Sequence, residues 1–200
     1  MLKVAITGSI GSGKTEVCRI LERMGWPVLD ADSIARDLVD EDREIRERLL
    51  ERFGPAYFDD EGRLKRRELG QLVFADPAAL HDLNAIVHPA LRQAIGEKLE
   101  QLEAQRHKWA FVEAAVLFEA KMENLFDVVA VVVSDLTLAV QRTAQRLRIP
   151  EEEAWNRYRS QIPVEEKIRR ADYVIRNDGS LRDLEQAVQD FLAWLKSRGR

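Results

Sequence analysis

The chain has 200 residues, 46% of them hydrophobic and 33% charged, with 31 basic and 35 acidic side chains and a formal net charge of −4. This describes an ordinary globular protein with ample chain for one domain and a sizeable core. The charges are well mixed, which argues against a nucleic-acid partner or a membrane surface. The longest aliphatic run, Val128 to Val133, is too short to span a bilayer, and Met1-Leu2-Lys3 leads straight into a strand pattern rather than a signal peptide. A single cysteine, Cys18, excludes an internal disulfide, so the expected address is cytoplasmic.

Val4-Ala5-Ile6 reads as a first strand, and Gly8-Ser9-Ile10-Gly11-Ser12-Gly13-Lys14-Thr15 follows it directly. The spelling is G-x-x-x-x-G-K-[ST] between a strand and a helical pattern, the context a phosphate-binding loop requires. Glycines let the backbone curl with its N–H groups inward, and the following helix adds its positive end. Lys14 brings a full charge to the β- and γ-phosphates, and Thr15 offers a hydroxyl to Mg2+, which keeps water and phosphate oxygens as its other ligands. Gly8, Gly11, Ser12, Gly13, Lys14, Thr15 and the adjoining Glu16 are therefore the nucleotide candidates.

Val17, Ile20, Leu21 and Met24 then recur at helical spacing, with Gly25 as a left-handed stop. Cys18 falls on the inner face of that helix, as a small buried apolar residue. Trp26-Pro27-Val28-Leu29 reads as a short strand ending at Asp30-Ala31-Asp32, with a helix from Ser33 onward. Acidic groups at the carboxyl end of a strand in an open α/β sheet lie where such sheets bind ligands. Asp32 fits that role and also the role of helix N-cap, and the two are compatible.

From Asp40 to His107 strand-like runs vanish. Helices are expected at Glu44 to Phe53, closing at Gly54, and at Lys65 to Phe74 after a turn at Asp59-Asp60-Glu61-Gly62. Asp76-Pro77 opens a further helix, and His88-Pro89 starts a separate long one to Gln105. This insertion is far longer than a crossover needs and reads as a lobe with its own task. It carries Arg63, Lys65, Arg66 and Arg67, mostly a solvated face, and His88 with Arg92 around a proline. No second His or Cys stands at metal-ligand spacing from His88.

The sheet resumes with Trp109 to Val112, ending in Glu113, an acidic strand end of the kind that holds Mg2+ through a carboxylate, often via water. Val128 to Val133 is a strand buried on both faces. Ser134-Asp135 caps the next helix, Tyr173-Val174-Ile175 is a fifth strand, and Asn177-Asp178-Gly179-Ser180 turns into a last helix. Its apolar face is Leu184, Ala187, Val188, Phe191, Leu192 and Leu195. Arg142 and Arg146 lie one helical turn apart on one face, ahead of a helical hairpin at Glu151 to Gln161 and Glu165 to Arg170. Arginines so placed near a phosphate loop close over a triphosphate and neutralise the charge on the transferring group. Trp155 and Tyr158 pack the hairpin.

These stretches together resemble the dephospho-coenzyme A kinase family. The matching segments run along nearly the whole chain: Thr7 to Thr15, Asp30-Ala31-Asp32 with Ile34-Ala35-Arg36, Phe53-Gly54, Gly62-Arg63-Leu64, Arg66 with Leu69, and Val73-Phe74. Beyond them come His88-Pro89, Leu117-Phe118-Glu119, Gln141-Arg142, Arg146, Gln161, and Ala171-Asp172-Tyr173-Val174-Ile175 with Asn177 and Gly179. The phosphate loop alone indicates only an NTPase, whereas Asp-Ala-Asp, His-Pro and Ala-Asp-Tyr-Val-Ile-x-Asn are specific to the family.

The resemblance implies a three-layer α/β P-loop kinase with a five-stranded parallel sheet, a helical substrate-binding insertion and a helical lid. The expected core lies at about 1–39, 108–140 and 171–200, the substrate lobe at about 40–107 and the lid at about 141–170. It implies ATP and Mg2+ as cofactors, dephospho-coenzyme A as the small-molecule partner and phosphorylation of its ribose 3′-hydroxyl; a monomer or weak homo-oligomer is expected. Lys14 and Thr15 keep the roles read above, Asp32 would accept the hydroxyl proton, and Arg142 and Arg146 would be lid arginines. Asn177 would lie near the adenine, and Arg66, His88 and Arg92 would face the substrate. Three positions depart from the family's usual pattern. Glu113-Ala114-Ala115-Val116-Leu117 stands for Asp-Val-Pro-Leu-Leu, Lys65 stands where an Asp is common, and Thr15-Glu16 replaces Ser-Thr. A nucleoside or nucleotide monophosphate kinase shares the loop, insertion and lid and is the competing enzyme class. A guanine-nucleotide switch would need an Asn-Lys-x-Asp motif that Arg176-Asn177-Asp178-Gly179 does not supply.

Overall fold

The computed structural model describes residues 1–198. Five parallel strands form its sheet: β1 (Leu2–Thr7), β2 (Val28–Asp30), β3 (Trp109–Glu113), β4 (Val128–Val133) and β5 (Tyr173–Arg176), in the order β2-β3-β1-β4-β5. The chain leaves the central β1 for β2 and β3 on one side and crosses to β4 and β5 on the other. The carboxyl end of β1 is therefore the switch point where open sheets bind ligands. Every residue of β4 is buried, as the unbroken valine run requires when both faces of a parallel strand are covered.

The chain divides into two compact units, Met1–Asp30 with everything from Leu99 onward, and Ala31–Lys98. In the first, helices α1 (Lys14–Arg23) and α9 (Leu181–Arg198) lie together on one sheet face. Val17, Ile20 and Leu21 of α1, with Leu184, Val188 and Phe191 of α9, meet the alternate strand residues Val4, Ile6, Val128, Ala130 and Val132. Cys18 is in this core, 3% exposed, as its place on the inner face of α1 requires. Burial drives its thiol well above the ordinary value, and the Glu113 carboxylate adds to the effect. The same unit holds α6 (Leu136–Leu147), α7 (Glu151–Arg159) and α8 (Val164–Arg170), and α7 packs on α6 through Val140, Ala144 and Ala154. Trp155 and Tyr158 pack beside them, ring centroids 6.1 Å apart.

The second unit is helical: α2 (Ala31–Glu41), α3 (Arg43–Phe53), α4 (Arg66–Ala75) and α5 (Pro77–Ala104), the last of which continues past the division. Asp42 caps α3 by accepting from the Ile45 N–H at 3.1 Å, and Gly54 closes it at φ 83°. Two boundaries differ from the sequence reading. Helix α2 begins at Ala31, not Ser33, which puts Asp32 inside its first turn, where a carboxylate still favours the positive helix end, and not at the N-cap. The two helices expected around His88-Pro89 are one: Pro89 lies inside α5. An interior proline removes one hydrogen bond and costs roughly 3 kcal/mol. Val87, Leu91 and Ile95, spaced by four and all buried, outweigh that by burying at least about 1.5 kcal/mol each.

Candidate active site

The phosphate loop joins β1 to α1, and its shape depends on residues without a Cβ. At Gly13, φ is 97°, and a Cβ would lie 2.0 Å from Asn177 Nδ2; at Gly11, φ is 77°, and a Cβ would lie 2.0 Å from the Ala139 carbonyl oxygen. The first contact seats the loop on the turn after β5, and the second seats it against α6. Asn177, 8% exposed, donates from Nδ2 to the Ser12 carbonyl at 2.9 Å. Its amide thus holds the loop backbone itself, which the family resemblance, with its expectation of an adenine neighbour, did not indicate. Lys14 is 7% exposed, and its ammonium donates to the Gly8 and Ser9 carbonyls at 2.9 and 3.0 Å.

Thr15 Oγ1 donates to Glu113 Oε1 at 2.7 Å. Register explains the meeting: Glu113 ends β3 opposite Ile6 of β1, so its carboxylate emerges beside the root of the loop. Asp30 ends β2 opposite Glu113 on the other flank, a second carboxylate at the same edge. A hydroxyl and a carboxylate are hard oxygen donors that suit Mg2+, and two such donors leave room for the water and phosphate oxygens this ion retains. The longer glutamate side chain therefore still reaches Thr15. Among the described residues no group of three or more His, Cys, Asp and Glu could hold a metal by itself, so His88 has no ligand set around it.

Glu16, expected beside the nucleotide, directs its carboxylate to Arg19 and Arg23 at 3.3 and 3.6 Å on the outer side of α1. The i+3 spacing to Arg19 and the pull of two guanidiniums decide that orientation. On α6 the buried Ala139 and Thr143 lie against Gly11, and Thr143 Oγ1 donates to the Ala139 carbonyl at 2.8 Å. Arg142 flanks that contact. It is half-buried, and its Nη1 is fully enclosed with no hydrogen-bond partner, a costly state for a charged donor unless an anion arrives. Arg146, one turn further, is exposed.

The remaining candidates lie in the helical unit. Asp32 is exposed in the first turn of α2, directly following β2 in the chain. Arg66 Nη2 donates to Asp40 Oδ1 at 2.7 Å and to the Arg36 carbonyl at 2.9 Å, so its charge is already met within the unit. His88 and Arg92 are half-buried on one face of α5, four residues apart. Sequence reasoning assigned no role to Gln161, whose Oε1 accepts from the Ile10 N–H of the loop at 2.9 Å. The two residues are 151 positions apart, so no local pattern could have joined them.

A parallel sheet with a phosphate loop after its central strand, a Thr–carboxylate pair at the loop's root and a half-buried arginine on the helix packed against the loop define a P-loop kinase. The shikimate kinase of Acinetobacter baumannii shares this fold, with a TM-score of 0.55 at 16% identity. The family profile described as dephospho-CoA kinase matches residues 2–183. A dephospho-CoA kinase of Thermus thermophilus is 42% identical over 192 residues, 96% of this chain and 91% of that protein. One of Carboxydothermus hydrogenoformans is 34% identical over 189 residues, 94% and 92% of the two chains. A crystal structure of a Thermus thermophilus protein superposes with a TM-score of 0.78 at 41% identity, covering 97% of each chain. That of the Campylobacter jejuni dephospho-CoA kinase gives 0.72 at 30%, covering 99% and 98%. The chain belongs to the dephospho-CoA kinase family.

Proposed function

We propose that the chain transfers the γ-phosphoryl group of ATP to the ribose 3′-hydroxyl of dephospho-coenzyme A, giving coenzyme A and ADP, the last step of coenzyme A synthesis. Family membership across residues 2–183 supports the acceptor. The observation that carries the chemistry is the 2.7 Å bond between Thr15 and Glu113, which joins the loop's hydroxyl to a strand-end carboxylate. When bound, Mg2+ neutralises charge on the phosphate oxygens, and Thr15 and Glu113 are the residues that would hold it.

Catalysis then rests on placement and charge. The loop amides cradle the phosphates, and the Lys14 ammonium exchanges its bonds to Gly8 and Ser9 for phosphate oxygens without leaving the loop. Arg142 supplies an N–H that has no protein partner, and Arg146, one turn on, adds a second charge from the lid. Asp32 accepts the proton of the attacking hydroxyl as that oxygen bonds to the γ-phosphorus and the bridging P–O bond to the leaving ADP breaks. Arg66, His88 and Arg92 serve the acceptor side from the helical unit. No helix among the described residues is long and apolar enough to cross a membrane, and a cytoplasmic monomer or weak homo-oligomer using ATP is the arrangement we assign.

The test is ADP release measured with and without dephospho-coenzyme A, with coenzyme A quantified. Acceptor-dependent ADP release matched by coenzyme A supports the reading. Phosphorylation of nucleoside monophosphates with dephospho-coenzyme A untouched would refute it. In the same assay Asp32→Asn is expected to lower kcat about 100-fold or more, the size of a general-base contribution. A near-parental kcat would remove Asp32 from that role.

A further inference from the structure

The turn between α7 and α8, residues 160–163, is held from two sides. Gln161 Oε1 accepts from the Ile10 N–H of the phosphate loop at 2.9 Å. The next residue, Ile162, donates its N–H to Glu119 Oε1 at 2.9 Å. That same oxygen lies 3.1 Å from Lys167 Nζ, which also donates to the Ala115 carbonyl at 3.2 Å, two residues beyond Glu113. Lys167 is 0% exposed and Glu119 14% exposed. The contacts thus leave the loop, pass through the lid turn and return to the strand end that holds Thr15.

What Gln161 holds is one end of a single rigid plane. The Ser9–Ile10 peptide is planar. Its N–H end is bound to Gln161, and its carbonyl end accepts from Lys14 Nζ at 3.0 Å and from the Ser12 N–H at 3.2 Å. Rotating that plane moves both the anchor of the catalytic ammonium and the crest of the cradle. The Glu119–Lys167 pair is poorly explained by stability alone, since apolar residues of similar volume often hold a buried position as well or better than an ion pair. An apolar pair could not offer an oxygen to the Ile162 N–H. Burial pushes the Lys167 ammonium's pKa down, and the Glu119 carboxylate opposes that shift.

We propose that Gln161 is a positioning residue for the nucleotide's phosphates: it fixes the Ser9–Ile10 peptide plane that anchors Lys14, and the buried Glu119–Lys167 pair holds it in place through Ile162. This rests on the nucleotide reading of the loop given above.

The test is calorimetric binding of ADP with Mg2+, and separately of adenosine, to the full chain with no acceptor present. Gln161→Met keeps the side chain's length and removes the acceptor oxygen. A net hydrogen bond of this kind corresponds to a factor of about 3 to 10, so ADP affinity is expected to fall by up to that factor with adenosine affinity unchanged, and the melting temperature to fall by no more than about 2–4 °C. The double variant Glu119→Leu/Lys167→Met, which leaves no uncompensated charge, is expected to fold and to show the same selective loss. Parental ADP affinity in Gln161→Met, or an equal loss for adenosine and ADP, overturns the positioning role. A double variant that binds ADP as the parent does overturns the link through Ile162. Because no acceptor is used, the two readings fail separately. A parent protein that binds ADP but makes no coenzyme A sinks the acceptor assignment, while unchanged ADP affinity in Gln161→Met sinks this one.

Discussion

Replacing Glu113 by Gln isolates the charge at the root of the loop. The amide has the same length and keeps an oxygen for the Thr15 hydroxyl now bound at 2.7 Å, so the contact survives as a neutral hydrogen bond. Passing from a charge-assisted to a neutral bond costs roughly 1 kcal/mol, a drop of about 2–4 °C in melting temperature for a chain of this size. The larger effect falls on the metal. Outer-sphere carboxylates that orient a metal site are worth about 10- to 100-fold in metal affinity or activity, so the Mg2+ concentration for half-maximal rate should rise by that factor. The assay is initial rate against free Mg2+ at saturating ATP and acceptor, with ADP binding measured in parallel at low and high Mg2+. Excess Mg2+ should restore most of kcat, because the loop, Lys14 and Arg142 are unchanged. A half-saturating Mg2+ within twofold of the parent's, in a folded protein, would refute the assignment of Glu113 to the ion.

Arg142→Ala should lower kcat at least about 100-fold while changing ATP affinity less, because a group with no ground-state partner acts mainly on charge that develops in the transition state; equal losses in both would contradict this. Gly11→Ala places a methyl group 2.0 Å from the Ala139 carbonyl at a positive φ, so α6 must shift or the loop must distort. A destabilisation of about 1–3 kcal/mol with a marked loss of ADP affinity is expected by denaturant melts and calorimetry. At the start of α9, the Asp183 carboxylate accepts from the Ser180 hydroxyl and the Ser180 N–H at 2.6 and 2.8 Å, while the Asp183 N–H donates back to Ser180 Oγ at 3.3 Å. The Ser180 bonds hold the carboxyl's pKa below its ordinary 3.8. The folded state therefore binds fewer protons there than the unfolded state does. This contribution is fully present above pH 3.8 and is lost as pH falls through the lowered value. Asp183→Asn should accordingly show a smaller loss of stability on acidification than the parent, and parallel pH profiles would contradict the cap.

Much of the architecture is legible in local pattern. Strands β1 and β4 are short apolar runs, α1 and α9 repeat apolar residues at helical spacing, and the glycines of the phosphate loop sit where the backbone takes positive φ. Each depends on neighbours within a few residues, which a linear reading sees. Pro89 shows the limit of local pattern. A proline is a strong local stop signal, whereas the burial of Val87, Leu91 and Ile95 that carries α5 through it is a tertiary quantity.

For the site, the sequence by itself named Lys14, Thr15, Glu113 and Arg142, because residue type and spacing declare anion- and metal-binding chemistry. Only the tertiary structure decided what these groups touch. Parallel register brings Glu113 to Thr15, packing seats Gly11 against α6 and Gly13 against Asn177, and Gln161 reaches the Ile10 amide. It also turns the Glu16 carboxylate toward Arg19 and Arg23. Such contacts join residues separated by as many as 165 positions. Hydrogen bonds of that reach leave no periodic trace in the chain, since they depend on where whole elements pack rather than on what each element is made of.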